Sequence, residues 1–175
     1  MSKVGKFLIA RPALNSGFFK HSVVFVYEDS PQGTVGLNLA TPSNLTLRSV
    51  DPQKPVDYSG VDPVIYLGGP VNDRAVMMIH TDDFVSTNTL FTDTGLNVSS
   101  DDLMVNKLFA GDWPALFRLT VGASVWAPGQ LDYEINQKLW LVSDLDHSPV
   151  FELSGDDLWN WAVEHVGSRT MARYF

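Results

Sequence analysis

The residues of this sequence that could do chemistry sit in a few short segments. His80 precedes Thr81, Asp82 and Asp83. An imidazole beside carboxylates can serve as a general base or a metal ligand. The plainer and commoner alternative is a strand-end histidine hydrogen-bonded to backbone. Asp73-Arg74 is an ion pair or an anion clamp, and exposed pairs of this kind contribute little to stability. Arg11 is a second arginine in a loop. Trp126 and Gln130 flank Ala127-Pro128-Gly129, a tight strand-to-helix corner at which a helix N-terminus can meet a ligand or a partner. Asp132 and Glu134 stand two residues apart on that helix, so they point to different faces and form no acid–base pair. Both are read as serving the helix dipole. His21, His147 and His165 have no partner at ligand spacing, so no metal site is expected. No GxSxG elbow or SxxK motif is present. No catalytic residue is assigned, and no cofactor is called for.

The stretch YLGGPVNDR, residues 66–74, tests whether the chain handles nucleotides. A phosphate loop runs from a strand through glycines into a helix, whose free N–H groups meet the anion. Here Gly68 and Gly69 are followed by Pro70-Val71-Asn72-Asp73-Arg74 and then by AVMMI, a strand pattern. Neither GxxxxGK[ST] nor GxGxxG occurs. The glycines therefore read as a strand-to-turn corner, where they permit backbone angles closed to other residues.

These segments need elements to hold them. KFLIA (6–10) and SVVFVY (22–27) read as buried strands, and Asp29 to Gly33 as the turn into TVGLNLA, which closes a hairpin. Gly36 within it marks a bulge or a close backbone neighbour. Leu45, Leu47 and Val50 lie in a polar, proline-rich stretch that fits a short helix or an edge strand equally. Strands follow at 64–67 and 75–79, and 81–97 reads as loop. Ser99-Ser100-Asp101-Asp102 opens a helix. Residues 116–126 form a long strand thinned in the middle by Gly122-Ala123-Ser124. A second helix starts at Pro128-Gly129-Gln130 and carries Leu131, Ile135 and Leu139. Strands are expected from Leu139 and over Val150–Leu153. A final helix capped at Ser154 stops at Gly167, leaving 168–175 loose. Hairpin-linked strands that outnumber helices argue for a single α+β domain, residues 1–175, with a mixed, mostly antiparallel sheet and about three helices.

The bulk numbers bound the rest. The chain of 175 residues has 45% hydrophobic and 18% charged residues, ordinary for one globular domain. It has no cysteine, which removes disulfides, thiolate metal sites and a thiol nucleophile. Its net charge of -8 opposes a phosphate backbone, so direct nucleic-acid contact is not expected. Lys3, Lys6, Arg11 and Lys20 precede the first acid, Glu28, and are read as a solvated face. No apolar stretch approaches the ~20 residues of a membrane helix. A soluble cytoplasmic protein is expected.

Four blocks, in order, resemble the AlgH/YqgE family. GKFLIARPALNSGFFKHSVVFVYED is similar to its GxFLIAxPxLxDPxFxxSVxYxxEH, and GTVGLNLATP to GAxGLVxNRP. YLGGPVNDR running into AVMMIH resembles GGPV…DRGFVLH. VWAPGQLDYEINQKLWLV resembles GWxxGQLExEIxxNxWL. Three departures stand out: His21 replaces an arginine, Ala40-Thr41 replaces Asn-Arg, and a Thr-Thr-Ser block is reduced to Asn97-Val98-Ser99-Ser100. The resemblance implies one α+β domain with a twisted or partly closed β core. It implies little chemistry: the family is labelled a transcriptional regulator but has no recognised DNA-binding motif. The expectation is a non-enzymatic, regulatory protein that contacts a protein or small ligand through Arg11, His21, Gly68, Gly69, Asp73, Arg74, His80, Trp126, Gly129 and Gln130. A hydrolase with a pocket near Gly68, Asp73, Arg74 and His80, and a direct DNA-binding regulator, are the alternatives.

Overall fold

The structure, a computed structural model, describes residues 1–172. The chain runs β1 (Phe7–Ala10), β2 (Val23–Ser30), β3 (Gly33–Asn38), β4 (Pro42–Thr46), α1 (Leu47–Val50), β5 (Val64–Leu67), β6 (Val71–Thr81), β7 (Leu96–Ser99) and α2 (Asp102–Phe109). It continues through β8 (Phe117–Trp126), α3 (Gln130–Asn136), β9 (Trp140–Ser143), α4 (His147–Glu152) and α5 (Gly155–Ala172).

The nine strands form one open sheet along the path β4-β5-β8-β3-β2-β1-β9, with β6 and β7 attached through β8. β5 with β8 is the one parallel pairing among the described strands. The class is α+β with a mixed, mostly antiparallel sheet, as expected from the hairpin-linked strands. β8 is its spine. Its first half pairs with β5 and β6, and its second half pairs with β3 at Ser124, Val125 and Trp126.

Both faces of the sheet are covered, which explains the uninterrupted apolar run Val23–Val26. Alternation sends Phe7, Ile9, Phe25, Leu37 and Ile79 to one face, beneath Leu158, Ala162 and Val166 of α5. Leu8, Val24 and Val26 face the other way, against Trp126, Leu131 and Trp140. A third cluster joins Ile65, Met78 and Leu119 to Met104, Leu108 and Phe109 of α2. Each such buried side chain contributes about 1.5–3 kcal/mol.

Several elements depart from the sequence reading. The stretch around Leu45, Leu47 and Val50 is both alternatives in succession: edge strand β4, then the one-turn α1. β6 begins at Val71, not Ala75, and absorbs the Asn72-Asp73-Arg74 turn as a register shift between Val71 and Val76. Where the sequence reads as loop over 81–97 and as a helix start at Ser99, β7 forms despite polar Asn97 and Ser99, because both buried side chains find hydrogen-bond partners in Asp82 and His80. The helix expected from Ser99 starts later, and Asp101 is its cap, accepting from the Met104 N–H. Leu139 lies beyond α3, which ends at Asn136. The strand expected over Val150–Leu153 is instead helix α4. Pro149 occupies its first turn, where no backbone N–H is needed. Helix α5 runs past Gly167 to Ala172. The loose tail expected over 168–175 thus begins inside a helix, and residues 173–175 lie outside the described residues.

Candidate functional site

The glycine corner is a crossing of two backbones. A Cβ on Gly69 would lie 2.0 Å from the carbonyl carbon of Ala123, and one on Gly68 would lie 2.4 Å from the Gly122 oxygen. The thin middle of β8 and the glycine pair are therefore two halves of one contact. Polar groups lock it. The Gly68 N–H donates to Val121 O, and the Gly68 carbonyl accepts from the Asn38 N–H and the Ser124 hydroxyl. Asn38, fully buried, accepts from the N–H groups of Val23 and Ala40 and donates to Thr41 Oγ1 and Leu67 O. Ala40 and Thr41, which depart from the family pattern, are structural in this chain. The Ala40 carbonyl receives the Gly155 N–H at the start of α5.

His80 is fully buried at the far end of β6. Its Nδ1 lies 2.9 Å from Thr81 O, a carbonyl that can only accept, so Nδ1 carries the proton. Nε2 then accepts from the Ser99 hydroxyl at 2.8 Å. Ser99 Oγ in turn accepts from Thr89 at 2.7 Å. Thr89 Oγ1 accepts the Ser86 N–H, and the Ser86 hydroxyl donates to Asp101. One directed chain of bonds thus ties His80 to the cap of α2. Burial pushes the imidazole pKa below its usual value, and the Thr81 carbonyl with Asp83 and Asp82 opposes this only in part. The ring stays neutral, edge-on to Phe84.

Trp126 is buried and stacks on Phe19 at 5.6 Å, with Trp140 edge-on at 5.8 Å. Gly129, at φ 79°, sets the bend into α3. Gln130 Oε1 closes the bend by accepting the Ala127 N–H. Asp132 pairs with Lys3 at 2.7 Å. Glu134 does not serve the dipole, because it lies past the first turn and turns inward to the indoles. Burial raises its pKa, and the N–H groups of Trp126 and Trp140 counter that rise. Glu134 Oε2 and Trp140 Nε1 are buried without reaching close hydrogen-bond geometry. Arg11 holds the loop after β1 through its N–H to Leu139 O. His21, at φ 58°, stacks on Trp159 at 4.0 Å and meets Asp156 at 2.8 Å. Lys6 pairs with Asp144, so two of the four early basic residues are neutralised.

Arg74 is exposed and lines a cavity of about 290 Å³ with Leu45, Ser49, Val50, Ile65, Val76 and Val121. The side chain of Asp73, its expected ion-pair partner, lies outside the described part of the structure.

The expected residues therefore fall into separate places. Trp126, Gly129 and Gln130 share the α3 bend, with Arg11 and His21 on nearby loops. Gly68 and Gly69 lie in the middle of the sheet, Arg74 on a groove, and His80 under α2. No one cavity described here joins Arg74 to His80. Sequence reasoning missed Asn38, Ser99, Arg118 and the orientation of Glu134. An interior polar residue within an apolar strand is the only signal that could have flagged the first three. Among the described residues, no cluster of three His, Cys, Asp or Glu could hold a metal ion, and no helix is long and apolar enough to cross a membrane.

A mixed, mostly antiparallel sheet flanked by helices defines an α+β scaffold, and solved structures share that fold. The AlgH-like family model matches residues 7–171, and the chain belongs to that family. A UPF0301 protein of Methylococcus capsulatus is 30% identical over 165 residues, covering 93% of this chain and 91% of that one. One from a Marinomonas species is 31% identical, covering 92% and 87%. The solution structure of the AlgH protein from Pseudomonas aeruginosa superposes with TM-score 0.78 at 28% identity, covering 93% of this chain and 88% of that one. A crystal structure of a Corynebacterium diphtheriae protein gives 0.76 at 27%, covering 94% and 87%.

Proposed function

We propose that this protein acts in the cytoplasm by binding rather than by turnover, as a regulatory protein with a contact surface centred on the Arg74 groove. The observation that carries this reading is the cavity itself. Leu45, Val50, Ile65, Val76 and Val121 give it apolar walls, and Arg74 sets one cation among them. Such a trough suits a group that is apolar over most of its surface and negative at one end, on a small ligand or on a partner protein. The net charge of -8 opposes direct contact with DNA.

Anilinonaphthalene sulfonate, an amphipathic anion, is a direct probe. Its fluorescence is expected to rise saturably on the folded protein. The rise should fall at least several-fold in Leu45→Glu and in Arg74→Glu, both surface changes. Equal dye binding by all three proteins would remove the groove from the proposal.

The hydrolase reading retains one observation, the 2.8 Å contact between Ser99 Oγ and His80 Nε2, which is nucleophile–base geometry. Against it, both residues are within 1% of full burial and the serine oxygen already accepts from Thr89. Ester turnover lost in His80→Ala, with the fold retained, would reverse the ranking.

A further inference from the structure

Arg118 on β8 is 5% exposed, and among the described residues no acidic side chain pairs with it. A guanidinium cannot shed its proton, so burial leaves it charged. Its Nη1 donates to Leu39 O at 2.8 Å and its Nη2 to Phe151 O at 3.0 Å. The plane lies over the Tyr66 ring at 4.1 Å. These contacts fix the group in place but use two of its five N–H donors, and main-chain carbonyls carry no counter-charge. Arg118 also lines a cavity of about 200 Å³, with Pro63, Val64, Tyr66, Phe117, Leu119 and Phe151. A buried cation without a counterion costs free energy that an incoming anion recovers.

We propose that this cavity is a carboxylate-binding site. It would take a small monocarboxylate on a flat apolar body, paired to Arg118 through the donors still free and packed against the apolar wall. The single positive charge sets the class. A monoanion neutralises the site, whereas a phosphate dianion would leave net negative charge against apolar side chains. The volume sets the size, since it falls below the ~300–1,000 Å³ of pockets for drug-sized ligands. The site is separate from the Arg74 groove: Tyr66 lines this cavity and Ile65 the other, and neighbouring residues of β5 point to opposite faces. Arg118 also secures a carbonyl in the last turn of α4, a role it keeps with or without ligand.

Benzoate is the probe, with inorganic phosphate and chloride at matched ionic strength as the comparison. The Arg118 Nε–Hε and Tyr66 ring signals in NMR spectra are expected to shift saturably with benzoate and much less with the other two. Val64→Trp, a substitution at the partly exposed rim, fills the space without touching the guanidinium and should abolish the shift. Arg118→Gln should weaken benzoate binding at least tenfold, about 1.4 kcal/mol. Arg74→Glu should leave it unchanged. Non-saturating shifts, equal shifts with phosphate, persistence in folded Val64→Trp, or loss in Arg74→Glu would each overturn the proposal. Should Arg118→Gln not fold, the Val64→Trp result decides alone.

Discussion

The two halves of β8 meet opposite constraints. From Phe117 to Val121 the strand is flanked by β5 and β6, and the groups needing explanation there are polar. Arg118 lies across from Ile79, and His80 across from Phe117. Arg118 is held by two carbonyl acceptors and His80 by one carbonyl acceptor and one hydroxyl donor, and the chain solves its charge problem differently in each case. His80 gives up its charge, whereas Arg118 cannot. From Gly122 to Trp126 the polar problem gives way to one of space, because the glycine corner passes within backbone contact. A buried base tolerates a change of shape if its hydrogen bonds survive. A backbone crossing tolerates no added atom at all.

The sharpest test of that contrast is Gly69→Ala. A methyl group placed 2.0 Å from Ala123 forces the two backbones apart. A loss above about 4 kcal/mol in urea unfolding, or no folded protein, is expected. A loss under about 1 kcal/mol would mean that the crossing relaxes and that the halves do not differ. In the first half, His80→Ala removes a buried ring and leaves the Ser99 hydroxyl without its acceptor. About 2–4 kcal/mol is expected. Just past the strand, Gly129→Ala separates conformation from space. Nothing lies within 4 Å of the added Cβ, so only the positive φ is strained. About 1–2 kcal/mol is expected, with Gly129→Asn milder than Gly129→Ala.

The smallest effect is the dependence of stability on pH. His80 has a lowered pKa in the folded state, so the unfolded chain takes up that proton first as pH falls. The stabilisation is complete above the unfolded value of about 6.5 and is lost as pH drops through the folded one. Urea midpoints should therefore decline as pH falls below ~6.5. The decline should be shallower in His80→Gln, which has no imidazole to charge. Glu134, whose pKa is raised, acts in the opposite direction. For that reason the difference between the two proteins is the measurement that matters.

How much of this was legible in the sequence follows from what each residue needs. Val23–Val26 declared a strand covered on both faces because nothing else explains so much uninterrupted apolar surface. The glycine pair was legible as a strand-to-turn corner, since a strand and not a helix follows it. Its partner, Gly122-Ala123-Ser124, was visible as a thin stretch, but no local rule joins positions so far apart in the chain. β7 was illegible because Asn97 looks like a loop residue and Ser99 like a helix cap until Asp82 and His80 come to meet them. Helix α4 was misread because its short apolar run fits either period. The candidate residues were chosen from local neighbours, and the cavities draw on distant ones. Arg74 reaches its groove only once β4, α1, β5 and β8 are assembled around it.

β1 lies between β2 and β9, with Phe7 paired to both Phe25 and Ser143. During synthesis the inner edge of β1 is satisfied early by β2, but its outer edge waits for a segment near the end of the chain. Until then Phe7 to Ala10 present open N–H and C=O groups, a template for pairing with another nascent chain. A chain arrested before Trp140 carries that exposed margin, so premature termination or slow late translation is where this protein is most prone to aggregate.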